Sequence, residues 1–190
     1  MVINSFLPLP KKEPFYIERD EKKRQEFDKK IIEIPSETDI CYVDECGVDE
    51  HMPREYGRSA KGERVYLPKP GYKSKRTNIV AGLIGKEVIC PTKYMWNTIA
   101  AWFLVWFEWY LCPLLKPGTV IILDNASFHS KLKISKIAEF YGCRIIFLPP
   151  YSPDKNPIEH TWANLKNWLR LHSKKYSNIQ KAISVYFKSE

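Results

Sequence analysis

The sequence predicts an α/β layer fold, with helices packed on a mixed sheet, and three observations carry that prediction. Strand-like runs come first in meander order and then alternate with helical ones. Two short runs, Thr119–Leu123 (TVIIL) and Arg144–Leu148 (RIIFL), are apolar and β-branched, as strands buried on both faces are. Apolar residues then recur at helical spacing, first at Ile134, Ile137, Ala138 and Tyr141, later at Ile158, Trp162, Leu165 and Leu169. A length of 190 residues suits one domain, and 44% hydrophobic with 14% aromatic residues supplies a core. That composition excludes a disordered chain.

In order along the chain, residues 1–36 are expected to form an N-terminal helical linker segment, charge-rich over 11–35. Within it Tyr16, Phe27, Ile31 and Ile32 have partly helical spacing, so residues 11–35 are expected to lie as a helix on the unit formed by 37–190. Asp39–Glu45 (DICYVDE) alternates as a strand does. Residues 53–76 are rich in Gly, Pro and basic side chains, and read as a loop with a short strand at Arg64–Leu67. Asn78–Ile84 is a strand, with Lys86–Cys90 its hairpin partner across Gly85. An aromatic helix is expected over roughly 96–112, ended by Lys116-Pro117-Gly118. Gly142 is placed as the C′ stop of the 132–141 helix. Pro149, Pro150 and Pro153 force an extended loop, and Asn156-Pro157 reads as an N-cap followed by Pro at N1. A last amphipathic helix covers about 178–188.

Charge narrows the partner classes. Net charge is +8, and residues 131–190 hold 11 basic against 4 acidic side chains, a distribution suited to a polyanion. Between Arg54 and Arg76 stand eight Lys/Arg and two Glu. The five cysteines form no CxxC pair and read as reduced core residues rather than a zinc site or disulfide framework. Met1–Pro10 has no basic region before a long apolar run, so no secretory signal is expected there. Thr98–Leu115 imitates a membrane span with one charge, Glu108. Pro113 and polar flanks favour a buried helix, followed by an aromatic dimer surface and last by a span.

Three acids stand in unusual places. Asp44 is expected at the C-terminal end of the first strand, Asp124 follows TVIIL directly, and Glu159 sits in the first turn of the helix after the proline loop. There are 79 residues between the first two and 34 between the last two. Acids at adjacent strand ends, joined by one from a nearby helix, can converge on hard cations such as Mg²⁺, which prefers carboxylate oxygens. Two such ions, about 3.5–4 Å apart, suit phosphodiester displacement. Each acid also has a structural alternative: Asp44 facing solvent, Asp124 in a turn with Asn125, Glu159 closing a capping box on Asn156.

ILDNASFHS and CRIIFLPPYSPDKNPIEHTWANLK, following YVDECGVDEHMPREYGRSAKGERVY, resemble the catalytic domain of the IS630 group of insertion-sequence transposases, relatives of the Tc1/mariner transposases. The resemblance runs from about Lys12 to the C-terminus. It implies a ribonuclease-H-like fold, a mixed five-stranded sheet flanked by helices, with a DDE triad of Asp44, Asp124 and Glu159 holding two Mg²⁺ or Mn²⁺ ions. It also implies cleavage of DNA at transposon ends and strand transfer, typically at TA, by a homodimer in the bacterial cytoplasm at the nucleoid. Asn125, His129, Asn156 and His160 flank the acids and are candidates for orienting them. Arg54, Arg58, Lys61, Lys73, Lys75, Arg76, Lys166 and Arg170, with Lys174 and Lys175, are candidates for phosphate contacts. Full-length relatives begin with helix-turn-helix modules. Nothing before Tyr16 is long enough for one, so the chain is expected to be the catalytic half: a separate reading frame, as in relatives joined by frameshifting, a truncated copy, or a fragment. Lys155 departs from the pattern where Leu is common, and Trp96 where a small residue is usual. An ammonium beside Glu159 would compete with Mg²⁺ or hold a phosphate. A second class of reading is a truncated, non-catalytic DNA-binding or dimer-poisoning remnant, against which the three intact acids speak.

Overall fold

The computed structural model describes residues 18–52, 64, 66, 71, 74–95, 100–124 and 131–188. Five strands form one sheet: β1 (Ile40–Asp49), β2 (Arg76–Ile84), β3 (Glu87–Tyr94), β4 (Val120–Leu123) and β5 (Arg144–Phe147). Their order is β3-β2-β1-β4-β5. β1–β2 and β2–β3 are antiparallel, whereas β1–β4 and β4–β5 are parallel, so the expected mixed five-stranded sheet is present. Among the described residues five α-helices flank it: α1 (Glu21–Ile32), α2 (Ala100–Trp106), α3 (Lys131–Phe140), α4 (Ile158–His172) and α5 (Ile179–Tyr186).

The period-two alternation of the strands sorts the core into layers. Cys41 and Val43 of β1, with Ile121 and Leu123 of β4, face Phe103, Trp106, Phe107, Ile134 and Ala138 of the α2–α3 layer. On the opposite face Cys46 and Val48 meet Ile158, Trp162, Leu165 and Leu169 of α4, and Ile179, Ala182 and Ile183 of α5. Val120 and Ile122 pack there against Phe27 of α1. α1 begins where Asp20 accepts from the Lys23 amide at 3.1 Å. α3 ends at Gly142, which takes φ +71°, a left-handed conformation that costs glycine little.

Four expectations need correction. β1 runs to Asp49, four residues past the expected end, because Gly47 stays in the ladder opposite Asn78. The Arg76 guanidinium lies where a side chain at position 47 would go. Arg64 and Tyr66 are exposed and belong to no strand. The aromatic segment is helical only from Ala100 among the described residues, and it loosens into a π turn at Phe107–Leu111 and a 3₁₀ turn at Cys112–Leu114. It is buried on one side alone, since Val105, Trp109, Tyr110 and Leu114 are exposed. No helix among the described residues is long and apolar enough to cross a membrane. Finally, α4 starts one residue later than expected, with Pro157 before its first turn and no side-chain cap. All five cysteines are free thiols, four of them buried.

Candidate active site

Parallel pairing brings the first two acids side by side. β1 and β4 end their shared register at Val43 opposite Leu123, so Asp44 and Asp124 are the next residues of two adjacent strands. Asp44 is therefore not at the end of β1 as expected. It stands mid-strand, opposite Ala81 of β2, at the point where β4 stops and the sheet opens. Alternation turns Asp44 away from the α2–α3 layer and towards α4, whose Trp162 indole Nε1–H donates to Asp44 Oδ2 at 3.1 Å.

α4 carries the third acid. Its buried stripe of Ile158, Trp162, Leu165 and Leu169 sits on the sheet, and Glu159 projects from the first turn beside that stripe. Glu159 closes no capping box, because α4 has no side-chain cap and the Glu159 amide donates instead to the Asn156 carbonyl at 3.1 Å. The three acids interact. Burial pushes the Asp44 carboxyl up to about 7, the negative charges of Glu159 and Asp124 add to the rise, and the Trp162 hydrogen bond opposes it.

The remaining predicted residues divide. His160 is exposed on α4, and Asn156 is 4% exposed with its Oδ1 lacking a hydrogen-bond partner. Lys166 lies two turns along α4 from Glu159, close enough to Cys46 to lower its thiol pKa, although burial dominates there and raises it to about 11. Arg170 donates to Asn167 at 3.0 Å, and Lys174 and Lys175 are exposed in the following turn. Lys75 and Arg76 are exposed where β2 begins, with Arg76 donating to Asn78 at 3.2 Å. Asn125, His129, Arg54, Arg58, Lys61, Lys73 and Trp96 lie outside the described residues. Lys155 does not address Glu159: its Nζ is 2.7 Å from both carboxylate oxygens of Asp28 in α1.

Sequence reasoning missed Trp162 as a partner of Asp44, reading it only as a core position of the helix. Its place three residues after Glu159, hence on the same helical face, was the available signal. It also missed Asp28 of α1 as the partner of Lys155, and Arg24 of α1 as the partner of Asp154.

The donor set suits a hard divalent cation. It consists of carboxylate oxygens, and like charges disfavour ionisation of the most buried one, a cost that a cation would reverse. Asn156, three residues before Glu159, leaves its buried Oδ1 as an unpaired acceptor. Among the described residues, no group of three or more His, Cys, Asp or Glu is placed tightly enough to hold a metal by itself.

A mixed sheet of this order, with two acids in register on its central strands and a third on the helix above, is the framework of a ribonuclease-H-like nuclease. The chain belongs to the DDE superfamily endonucleases, whose family pattern matches residues 39–181. Its solved structural relatives include the Mos1 mariner paired-end complex with Mn, with TM-score 0.69, 15% identity, and coverage of 94% of this chain and 59% of that one. The catalytic domain of Mos1 mariner transposase matches with TM-score 0.56 and 13% identity over 94% of this chain and 85% of its own. The Mos1 strand transfer complex matches with TM-score 0.64 and 15% identity over 87% and 53%. At these identities the likeness is one of fold. The uncharacterized protein y4pE/y4sA of Sinorhizobium fredii (strain NBRC 101917 / NGR234) is 41% identical over 51 residues, 26% of this chain and 36% of that protein. The chain thus spans about a third of that relative and 53% to 59% of the Mos1 chains in the DNA complexes.

Proposed function

We propose that this chain is the catalytic domain of a DNA transposase of the IS630 group, cutting DNA at transposon ends and joining the freed ends to target DNA at TA. The observation that supports the reading is the β1–β4 register, which ends one residue before Asp44 and Asp124, together with the negative charges of Glu159 and Asp124 opposing ionisation of Asp44. Asp44, Asp124 and Glu159 would hold two divalent ions, Mg²⁺ or Mn²⁺. When bound, such ions stabilise charge on the attacking and leaving oxygens of a phosphodiester. Trp162 fixes the Asp44 carboxylate by donating to Oδ2, and the sheet fixes the spacing of Asp44 and Asp124. Glu159 comes from a helix seated by four buried side chains, so its backbone is held by the core. Transfer then proceeds by direct displacement: water attacks a phosphodiester, leaving a 5′-phosphate and a free 3′-OH, and that 3′-OH attacks a target phosphodiester, forming the new bond as the target's own 3′-oxygen leaves and takes up the proton. No covalent protein–DNA bond is needed.

In this reading residues 1–36 are the helical linker segment and 37–190 the catalytic domain of a homodimer acting in the bacterial cytoplasm on nucleoid DNA. Asn125, His129, Asn156 and His160 orient the acids. Phosphates meet the basic residues at 54–76 and along α4, while a helix-turn-helix region, in cis or as a separate chain, reads the transposon ends. Nicking of supercoiled plasmid with Mg²⁺ or Mn²⁺ tests the proposal. Asp44→Asn, Asp124→Asn and Glu159→Gln should each lower it at least a hundredfold while circular dichroism stays that of the parent. Near-normal nicking by any one of them would remove that residue from the site.

A further inference from the structure

Glu159 depends on the start of α4, and that start is gripped by ion pairs from α1. The guanidinium of Arg24, itself 5% exposed, donates to Asp154 with both prongs, Nη1 to Oδ1 at 3.0 Å and Nη2 to Oδ2 at 2.7 Å. Arg19 donates to the same Oδ2 at 2.9 Å. One turn further along α1, Asp28 accepts from Lys155 Nζ with both of its oxygens. The charges are crossed. α1 offers a cation and then an anion, and the turn Pro153–Lys155 offers an anion and then a cation. A crossed pair resists sliding of the helix along the turn, because a one-turn slip would set like charges against each other.

The gripped turn leads straight into the acid. The Asn156 amide donates to the Pro153 carbonyl at 2.9 Å, the Glu159 amide to the Asn156 carbonyl at 3.1 Å, and the His160 amide to the Pro157 carbonyl at 3.1 Å. Pro153 and Pro157 restrict the backbone torsions on either side of Asn156. Little slack therefore separates Asp154 and Lys155 from the Glu159 backbone. We infer that Arg24 and Asp28 are positioning residues for Glu159, acting through Asp154 and Lys155, and that α1 is a strap setting the third acid against the sheet. The inference rests on the reading of Glu159 as a metal-holding acid. A ligand displaced by about an ångström loses much of its effect, so a strap at this point governs metal affinity. It also accounts for Lys155, which replaces the more usual apolar residue and is matched here by an aspartate on α1.

The test uses the full chain and Mn²⁺ alone, titrated by electron paramagnetic resonance, with thermal melting and plasmid nicking in parallel. Asp28→Lys, Lys155→Asp and the double exchange are compared. The two side chains are 45% and 25% exposed, so reversal strands no charge deep in the core. Each single variant should weaken Mn²⁺ binding at least threefold, and the double should return it to within twofold of the parent. Asp28→Asn repeats the comparison without reversing a charge. Unchanged Mn²⁺ binding in the singles, a double no better than they are, or a loss that merely follows the folded fraction overturns the inference. Glu159→Gln separates the two readings. If it binds Mn²⁺ and nicks as the parent does, the site assignment fails and the strap with it. If it is inactive while the Asp28 and Lys155 variants bind normally, only the strap fails.

Discussion

Asp44 lies mid-strand with its carboxyl beneath Trp162, and burial there pushes its pKa up to about 7, helped by Glu159 and Asp124. The unfolded chain keeps an ordinary aspartate near 3.9. A carboxyl raised on folding contributes stability that is complete below the unfolded value and is lost as pH rises through the folded one. Metal-free protein should therefore weaken between about pH 4 and pH 7, by at most about 4 kcal/mol at about 1.4 kcal/mol per pH unit between the two values, and by less where solvent screens the charge. Asp44→Asn keeps an acceptor for the indole and removes the charge. Its stability advantage over the parent in chelator should grow from pH 5 to pH 8 in urea melts, and Mg²⁺ at pH 8 should narrow the gap by stabilising the parent. An advantage independent of pH would mean that Asp44 ionises freely in the fold. None of this was legible from the residue alone. The motif placed Asp44 among three acids, but the depth of its burial came from an extra stretch of β1 that Cys46-Gly47 disguised.

The elements most visible in the sequence were those whose pattern is local. β4 and β5 showed as β-branched runs, α3 as a helical period ending in Gly142, and α4 as the stripe Ile158, Trp162, Leu165, Leu169. α2 was visible as helix but not as a helix that loosens after Trp106, because periodicity does not report a π turn. That α1 lies on the domain was legible, but the ion pairs that hold it were not, since they join residues at least 127 positions apart. That docking makes an asymmetric prediction. Arg24 is buried whereas the Asp154 side chain is 52% exposed, and the guanidinium holds Asp154 below the ordinary carboxylate range. Arg24→Met leaves a solvated carboxylate that Arg19 still meets, and should cost about 1 kcal/mol or less. Asp154→Ala strands a buried guanidinium whose remaining nearby anions are Glu21, 3.5 Å from Nε, and Asp28, and should cost about 2–3 kcal/mol. Denaturant melts of the two variants at pH 7 rank them; the reverse order would show that Arg24 does not depend on Asp154.

At the scale of the whole molecule, the proposed role divides the labour of recognition between charge and fold. Net charge is +8, and the exposed cations of the described residues include Lys75 and Arg76 at the head of β2 and Lys174 and Lys175 past α4. Lys and Arg on such surfaces address phosphates, and phosphate contacts orient a protein on DNA without selecting a sequence. Sequence is read by an element shaped for a groove, commonly a recognition helix. The described helices are instead seated on the sheet: α4 by Ile158, Trp162, Leu165 and Leu169, α5 by Ile179, Ala182 and Ile183. This chain should therefore bind duplex DNA weakly, with little preference for transposon-end repeats over scrambled DNA. Its affinity should fall steeply with salt as counterions released on binding are opposed. With about six phosphates neutralised, raising salt from 50 to 200 mM should cost on the order of a thousandfold. Joining a helix-turn-helix region in cis should add preference for the repeats while changing the salt slope by only the phosphates that region contacts. Mobility-shift titrations at two salt concentrations, on repeat and scrambled duplexes, measure both quantities. A hundredfold preference for the repeats by the 190-residue chain alone would show that the sheet-and-helix domain itself reads bases, and would move the search for the reading element to its own exposed helices.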